Sequence, residues 1–174
     1  MNNNIVLIGF MGVGKSSTTR KLSKELGFVS IDTDDLIESM EGRRIKLIFS
    51  QSGEEYFRDL EKRVATWIEK SVQNSIISTG GGFFMVPNIK NIGKIIYLKS
   101  SFDGIIDRIN KHKNAKQKFA KRPLLSDRKK AKELFDKREK IYENLADITI
   151  NMQKHKTIKS VVKEIKSHLN ANDQ

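Results

Sequence analysis

Residues 9–16 read Gly9-Phe10-Met11-Gly12-Val13-Gly14-Lys15-Ser16, a complete G-x-x-x-x-G-K-S run. The apolar run Ile5 to Ile8 precedes it and a segment of helical period follows, which is the strand–loop–helix context this motif requires. The glycines let the backbone turn tightly, so its N–H groups face inward at phosphate oxygens, and the start of the helix adds its positive end. Lys15 supplies a point charge for β- and γ-phosphates, and the Ser16 hydroxyl is a ligand suited to Mg²⁺. The chemistry expected here is nucleoside triphosphate binding, with Gly12, Val13, Gly14, Lys15, Ser16 and Ser17 around the phosphates. A chance glycine-rich turn is the bland alternative, and the flanking strand and helix argue against it.

A loop that grips a triphosphate does not say what receives the phosphoryl group. Three further features bear on that. Asp32-Thr33-Asp34 follows the second apolar run. In an open parallel sheet, ligands bind outside the carboxyl ends of the strands. Two carboxylates there divide the work: one holds a metal through water, the other accepts a proton from an attacking hydroxyl. The competing reading is a helix cap, since Asp ahead of Leu36-Ile37 is good capping chemistry. Phe57, Arg58 and Glu61 sit at i,i+3 and i,i+4 spacing on one helix, so they line one side of a pocket. A guanidinium suits bidentate capture of a carboxylate, whereas an exposed Arg58–Glu61 or Arg58–Glu54 pair would be worth little. Finally, Ser78-Thr79-Gly80-Gly81-Gly82 ends the third run. Three glycines strip the strand end of side chains and open its backbone to a ligand; a flexible turn is the alternative.

Together these residues resemble the shikimate kinases, small P-loop enzymes of the nucleoside-monophosphate-kinase fold. The resemblance covers nearly the whole chain. It rests on GFMGVGKS at residues 9–16, DTD at 32–34, FRDLE at 57–61, TGGG at 79–82, RPLL at 122–125 and REKIY at 138–142, in that order. It implies phosphoryl transfer from ATP, with Mg²⁺, to shikimate, giving shikimate 3-phosphate and ADP, a step toward aromatic amino acids. It also implies roles. Asp34, Lys15 and Arg122 would be catalytic, with Asp34 at the acceptor hydroxyl. Arg58 and Arg138 would grip the acceptor carboxylate, Phe57 and Glu61 would line its pocket, and the turn Gly80, Gly81, Gly82 would offer a backbone N–H. Arg122, on a mobile lid at residues 111–125, would reach the phosphates; Arg108 would pack on adenine; Ser16 and Asp32 would serve the metal. One departure stands out: the stretch from Arg108 to Arg122 is longer and richer in Lys than the family's usual lid.

These residues need a scaffold that brings them together. Candidate strands fall at 5–8, 28–31, 75–79, 94–98 and 147–150, mostly Ile- and Val-rich and bounded by Gly, Asp or Asn, as buried parallel strands are. Helical segments fill the gaps. One runs from Lys15 to Leu26 and stops at Gly27. Ser52-Gly53-Glu54-Glu55 reads as a capping box opening a helix to Lys70, with Phe57, Leu60, Val64, Trp67 and Ile68 on one face. Ser126 is placed to cap a helix through Leu145. Ile158, Val161, Val162, Ile165 and Leu169 form a stripe on the last helix. Alternating β and α elements imply α/β architecture: three layers, a five-stranded parallel sheet flanked by helices, here a P-loop kinase fold with a mobile lid. No repeat or linker divides residues 1–174, so one domain is expected, with the acceptor segment at about 33–61.

Composition narrows the remaining classes. The chain has 174 residues, no cysteine and a net charge of +12. Disulfides and thiolate chemistry are excluded, and a reducing cytoplasm is the expected location. Met1 to Asn4 leads directly into the first strand without a basic leader, so no signal peptide is expected, and no apolar run approaches the ~20 residues that span a membrane. Residues 108–140 carry fourteen Lys and Arg against four Asp and Glu. Such a segment attracts nucleic acid, an anionic surface or a small polyanion such as ATP. A nucleic-acid module would interleave aromatics with its basic residues, and between Lys111 and Arg122 only His112 and Phe119 are available. A small-molecule partner, no nucleic acid, no membrane and a monomeric state are therefore expected. Another small-metabolite kinase of the same fold, such as a gluconate kinase, is the nearest alternative; a nucleotide kinase lacks support because no base-recognition signature is present.

Overall fold

The structure is a computed structural model and describes residues 3–120 and 122–171. Five parallel strands form one sheet in the order β2-β3-β1-β4-β5: β1 (Ile5–Ile8), β2 (Val29–Asp32), β3 (Ser75–Ser78), β4 (Lys94–Lys99) and β5 (Ile148–Asn151). The central strand β1 pairs with β3 through Ile5–Ile76 and with β4 through Ile5–Lys94. Side chains alternate across a strand, and here both sides are apolar. Ile5, Leu7, Ile76, Ile96 and Leu98 belong to one core, while Val6, Ile8, Ile77, Ile95 and Tyr97 belong to the other. A sheet buried on both faces must be covered on both, and helices do so.

The helices are α1 (Lys15–Leu26), α2 (Thr33–Glu41), α3 (Ile45–Ser71), the short α4 (Ile89–Ile92), α5 (Phe102–Asn110), α6 (Ala115–Ala120), α7 (Arg128–Leu145) and α8 (Ile158–Ala171). On α8, Val161, Val162 and Ile165 are buried as their spacing requires. The five strands lie where expected to within a residue or two. The second begins at Val29 rather than Phe28 and takes in Asp32, whose register partner is Ser78. As an edge strand it leaves Val29 68% exposed.

Three helical expectations are corrected. The helix expected from Ser52 begins at Ile45 and kinks at Gly53, where φ is +83° and ψ 173°. The Ser52 hydroxyl accepts a hydrogen bond from Arg43 Nη1 at 3.2 Å, so the glycine makes the break. Trp67 is 46% exposed. At 3.6 residues per turn it sits about 80° from Phe57 around the axis, at the margin of the stripe that buries Leu60, Val64 and Ile68. The cap of α7 is Asp127, which accepts from the Lys130 N–H at 3.1 Å, rather than Ser126.

The segment 111–125 also departs from expectation. Without a clear apolar period, it nevertheless holds α6 and a 3₁₀ turn, Pro123–Leu125. Leu125 is buried in the core and Phe119 packs against it. Lys121 lies outside the described residues.

Candidate active site

The phosphate motif occupies the loop between β1 and α1. Gly12 and Gly14 take φ of +87° and +118°, values an L side chain rarely adopts, and a Cβ on Gly12 would approach Ile109 Cδ1 to 2.7 Å. Helix α1 starts from Gly14 without a side-chain cap, so its first N–H groups are available to an anion. Val13 is buried and donates its N–H to Phe10 O at 3.2 Å; Ser16 is exposed and Ser17 half-buried. The Lys15 ammonium folds over the loop, donating to Gly9 O at 2.6 Å and Phe10 O at 3.3 Å. Burial pushes its pKa down to about 8, with Asp34 and Asp32 acting the other way.

Two carboxylates face this loop from the end of β2. Asp32 is the N-cap of α2: its Oδ1 accepts from the N–H of Asp34 at 3.1 Å and of Asp35 at 3.5 Å, and its Oδ2 accepts from the Ser78 hydroxyl at 2.9 Å. Capping chemistry and a place in the cleft thus coexist on one residue. Asp34, in the first turn of α2, is pushed up to about 7, mainly by burial and then by Asp32 and against the pull of Lys15.

The glycine triplet makes room for side chains. A Cβ on Gly80 would collide with the Asp34 carboxylate, one on Gly81 would come within 2.9 Å of Arg138 Nη1, and one on Gly82 would collide with the Arg58 guanidinium. One turn therefore brings together an acid from α2, an arginine from α3 and an arginine from α7. The Gly80 N–H is already taken by the Thr33 hydroxyl at 2.9 Å, so a backbone donor for a ligand is confined to Gly81 and Gly82.

Arg58 is held on two sides. Its Nη1 donates to Glu61 Oε2 at 2.7 Å, while Nη2 and Nε donate to the same oxygen of Glu54, Oε1, at 2.7 and 3.2 Å. Its guanidinium carbon lies 5.5 Å from the centroid of the Phe57 ring, which is buried against Phe49. The Glu61 side chain is 2% exposed; burial raises its pKa, Arg58 and Arg138 oppose the shift, and its Oε1 has no hydrogen-bond partner. Arg138 lies over the ring of Phe84 at 5.7 Å. Phe84 meets Tyr142 edge-on, and the Tyr142 hydroxyl donates to Gly81 O at 2.9 Å.

Arg108, at the end of α5, donates to Met152 O at 3.1 Å and lies beside Gly14. Arg122 donates to Lys118 O at 2.7 Å, and burial lowers the pKa of both arginines. Lys118 is lowered by burial and by Arg122, Arg20 and Arg108. No acidic group among the described residues pairs with any of these four cations, although many of the other surface cations have one.

Sequence reasoning missed Thr33, Ser78, Tyr142 and Met152. Tyr142 stands inside the REKIY segment and was signalled by its neighbours; the hydroxyls of Thr33 and Ser78 carry no sequence signal, because their partners lie 46 or 47 residues away. Among the described residues no three His, Cys, Asp or Glu side chains gather as a metal cage. Ser16 and Asp32 offer one hydroxyl and one carboxylate, a donor set that fits Mg²⁺, which keeps its waters and shares substrate phosphates.

A phosphate loop on the central strand of a β2-β3-β1-β4-β5 parallel sheet, facing a buried acid and two arginines, defines a P-loop small-molecule kinase. The shikimate kinase family model matches residues 11–170, and the chain belongs to that family. It is 42% identical over 157 residues to a shikimate kinase of Persephonella marina, covering 86% of this chain and 89% of that protein. It is 37% identical over 148 residues to one of Helicobacter hepaticus, covering 85% and 86%. The structure of a shikimate kinase from Acinetobacter baumannii in complex with shikimate superposes with a TM-score of 0.82 at 27% identity, covering 99% of this chain and 95% of that one. The chain is thus an ATP-dependent kinase by family. Among the described residues no helix is long and apolar enough to cross a membrane.

Proposed function

We propose that this protein transfers the γ-phosphoryl group of ATP to the 3-hydroxyl of shikimate. The observation that carries the reading is that Asp34, Arg58 and Arg138 each lie against one glycine of the Gly80–Gly82 turn, with Lys15 close enough for its charge to be felt by Asp34. Arg58 and Arg138 bind the acceptor's carboxylate, which aims its ring toward Asp34. The acceptor oxygen attacks the γ-phosphorus, its proton passes to the Asp34 carboxylate, and the bond to the β-phosphate oxygen breaks to leave ADP. Phosphoryl transfer asks mostly for positioning and charge stabilisation. The uncapped start of α1, Lys15 and, from the segment 111–125, Arg122 supply the charge; Arg108 packs on the base. Ser16 directly and Asp32 through water would hold Mg²⁺, which neutralises charge on the phosphates. Phe57 and Glu61 act by fixing Arg58.

We infer a monomer working in the cytoplasm on small molecules; the absence of cysteine and the scarcity of aromatics in the basic segment support this. A coupled ADP-release assay with shikimate, gluconate and nucleoside monophosphates side by side tests the acceptor. Turnover confined to shikimate is expected; faster turnover of gluconate or a nucleotide would replace the reading.

A further inference from the structure

We propose that Glu54 is an internal stand-in for the acceptor's carboxylate: it occupies the open edge of Arg58 in the free enzyme and gives that edge up when the acceptor binds. The inference rests on the acceptor reading above.

Arg58 has two acidic partners that differ in kind. Glu61 is buried, one helical turn away, and bonds Nη1. Glu54 is 66% exposed, directly after the Gly53 kink, and meets Arg58 one turn further along the helix. Its grip is geometrically poor. One oxygen, Oε1, serves both Nε and Nη2, at 3.2 and 2.7 Å. The Nε/Nη2 edge of a guanidinium is a fork that a carboxylate fills best with two oxygens in parallel bonds. A ligand carboxylate brings both oxygens, so it replaces a shared bond with a matched pair.

Preorganisation does not depend on Glu54. Glu61 already fixes Nη1, the Phe57 ring lies under the guanidinium, and Gly82 leaves the space that Arg58 fills. With the arginine bonded by Glu61 and laid on the Phe57 ring, Glu54 adds competition to acceptor binding and little orientation. It also keeps the fork from capturing unrelated anions while the site is empty. Because Glu54 is exposed, swinging it into water costs little, and the contest is set by an ion pair of the exposed class.

The test is Glu54→Gln in the full chain, which keeps size and helix start but removes the charge. Shikimate affinity, measured by calorimetry without nucleotide, is expected to tighten about threefold, the scale of one exposed ion pair. The KM for shikimate falls with it, while kcat and the KM for ATP stay within experimental error. The gain shrinks as salt is raised from low to moderate concentration. A shikimate analogue with the carboxylate reduced to an alcohol gains nothing. Unchanged or weaker shikimate binding would show that Glu54 orients Arg58 productively and would overturn the proposal, as would an equal gain for the alcohol. Failure of the wild-type protein to bind shikimate at all would instead overturn the acceptor reading, so the two failures are separable.

Discussion

Arg58 shows how little a pair seen in sequence says until its surroundings are known. Exposed Arg–Glu pairs at i,i+3 or i,i+4 contribute little. Here one glutamate is buried, a phenylalanine ring lies beneath, and a glycine has been kept small beside the guanidinium. Arg58→Lys keeps the charge and loses the planar fork. The loss in shikimate binding should reach ~1.5–3 kcal/mol, the scale of a charge-assisted hydrogen bond, with ATP binding nearly unchanged; equal loss for both substrates in titrations would assign Arg58 a structural or phosphate role. Asp34 carries the other residue-scale expectation. With its pKa near 7, the free enzyme's kcat/KM for shikimate should climb as pH rises through about 7, since a base must first lose its proton. It should decline above about 8, where Lys15 loses its charge. Asp34→Asn should lower kcat by ~10²–10⁴-fold, the range of general-base catalysis, and remove the acidic limb. A loss under tenfold with the limb intact would reduce Asp34 to an orienting group. The acid, the arginines and the glycines that meet at the Gly80–Gly82 turn were legible because their types are rare at such spacings. The hydroxyls of Thr33 and Ser78 were not, because a hydroxyl's partner is chosen by the tertiary fold.

At the scale of elements, the strands were readable from short apolar runs between turn residues, since the central strands β1 and β4 are buried on both faces and are almost wholly apolar. The helices were less so. The start of α3 was hidden because Gly53 reads as a boundary, whereas the chain uses it to join two helical pieces at an angle. The segment 111–125 was read as a lid without clear period because its lysines mask a short helix whose single aromatic, Phe119, docks on the core beside buried Leu125. Among the described residues Phe119 and Leu125 hold it to the core, and Lys118, Arg122, Arg108 and Arg20 have no acidic partner. ATP would bring negative charge to these cations. Hydrogen exchange across residues 111–125 should be fast in the free protein and slow with an unreactive ATP analogue plus shikimate, with water excluded from the γ-phosphoryl group as the segment closes. Arg122→Ala should then reduce kcat more than shikimate affinity. Full protection in the free protein, or none gained with both ligands, would make the basic run an ordinary solvated surface.

The molecule as a whole carries its site at a cost in stability that two partly buried charges, Asp34 and Lys15, locate. The two cores clothe the sheet with side chains worth ~1.5–3 kcal/mol each on burial, and into this frame the fold inserts a half-buried Asp34 beside Asp32, with Lys15 opposite. Asp34 titrates near 3.8 when unfolded and near 7 when folded. Below pH 4 it is protonated in both states and costs nothing. Between about 4 and 7 the folded state holds a proton the unfolded state has released, so stability falls as pH rises, and the full cost is reached above 7. Lys15 has the complementary sign: its cost is fully present below about 8 and lifts toward 10.5. The free protein is therefore under strain from both groups near neutrality. The raised Asp34 pKa already nets burial against the attraction of Lys15, so Asp34→Asn should stabilise the free protein at pH 8 by about 1 kcal/mol, within the range of single stabilising substitutions. That corresponds to roughly 2–4 °C in Tm for a chain of this size. Thermal unfolding of the two proteins should show the variant more stable at pH 8 and the difference gone at pH 4. A variant that melts lower at pH 8, or a gap that does not close in acid, would mean that the Asp34 carboxylate is favourably placed in the free protein and that its pKa is not raised.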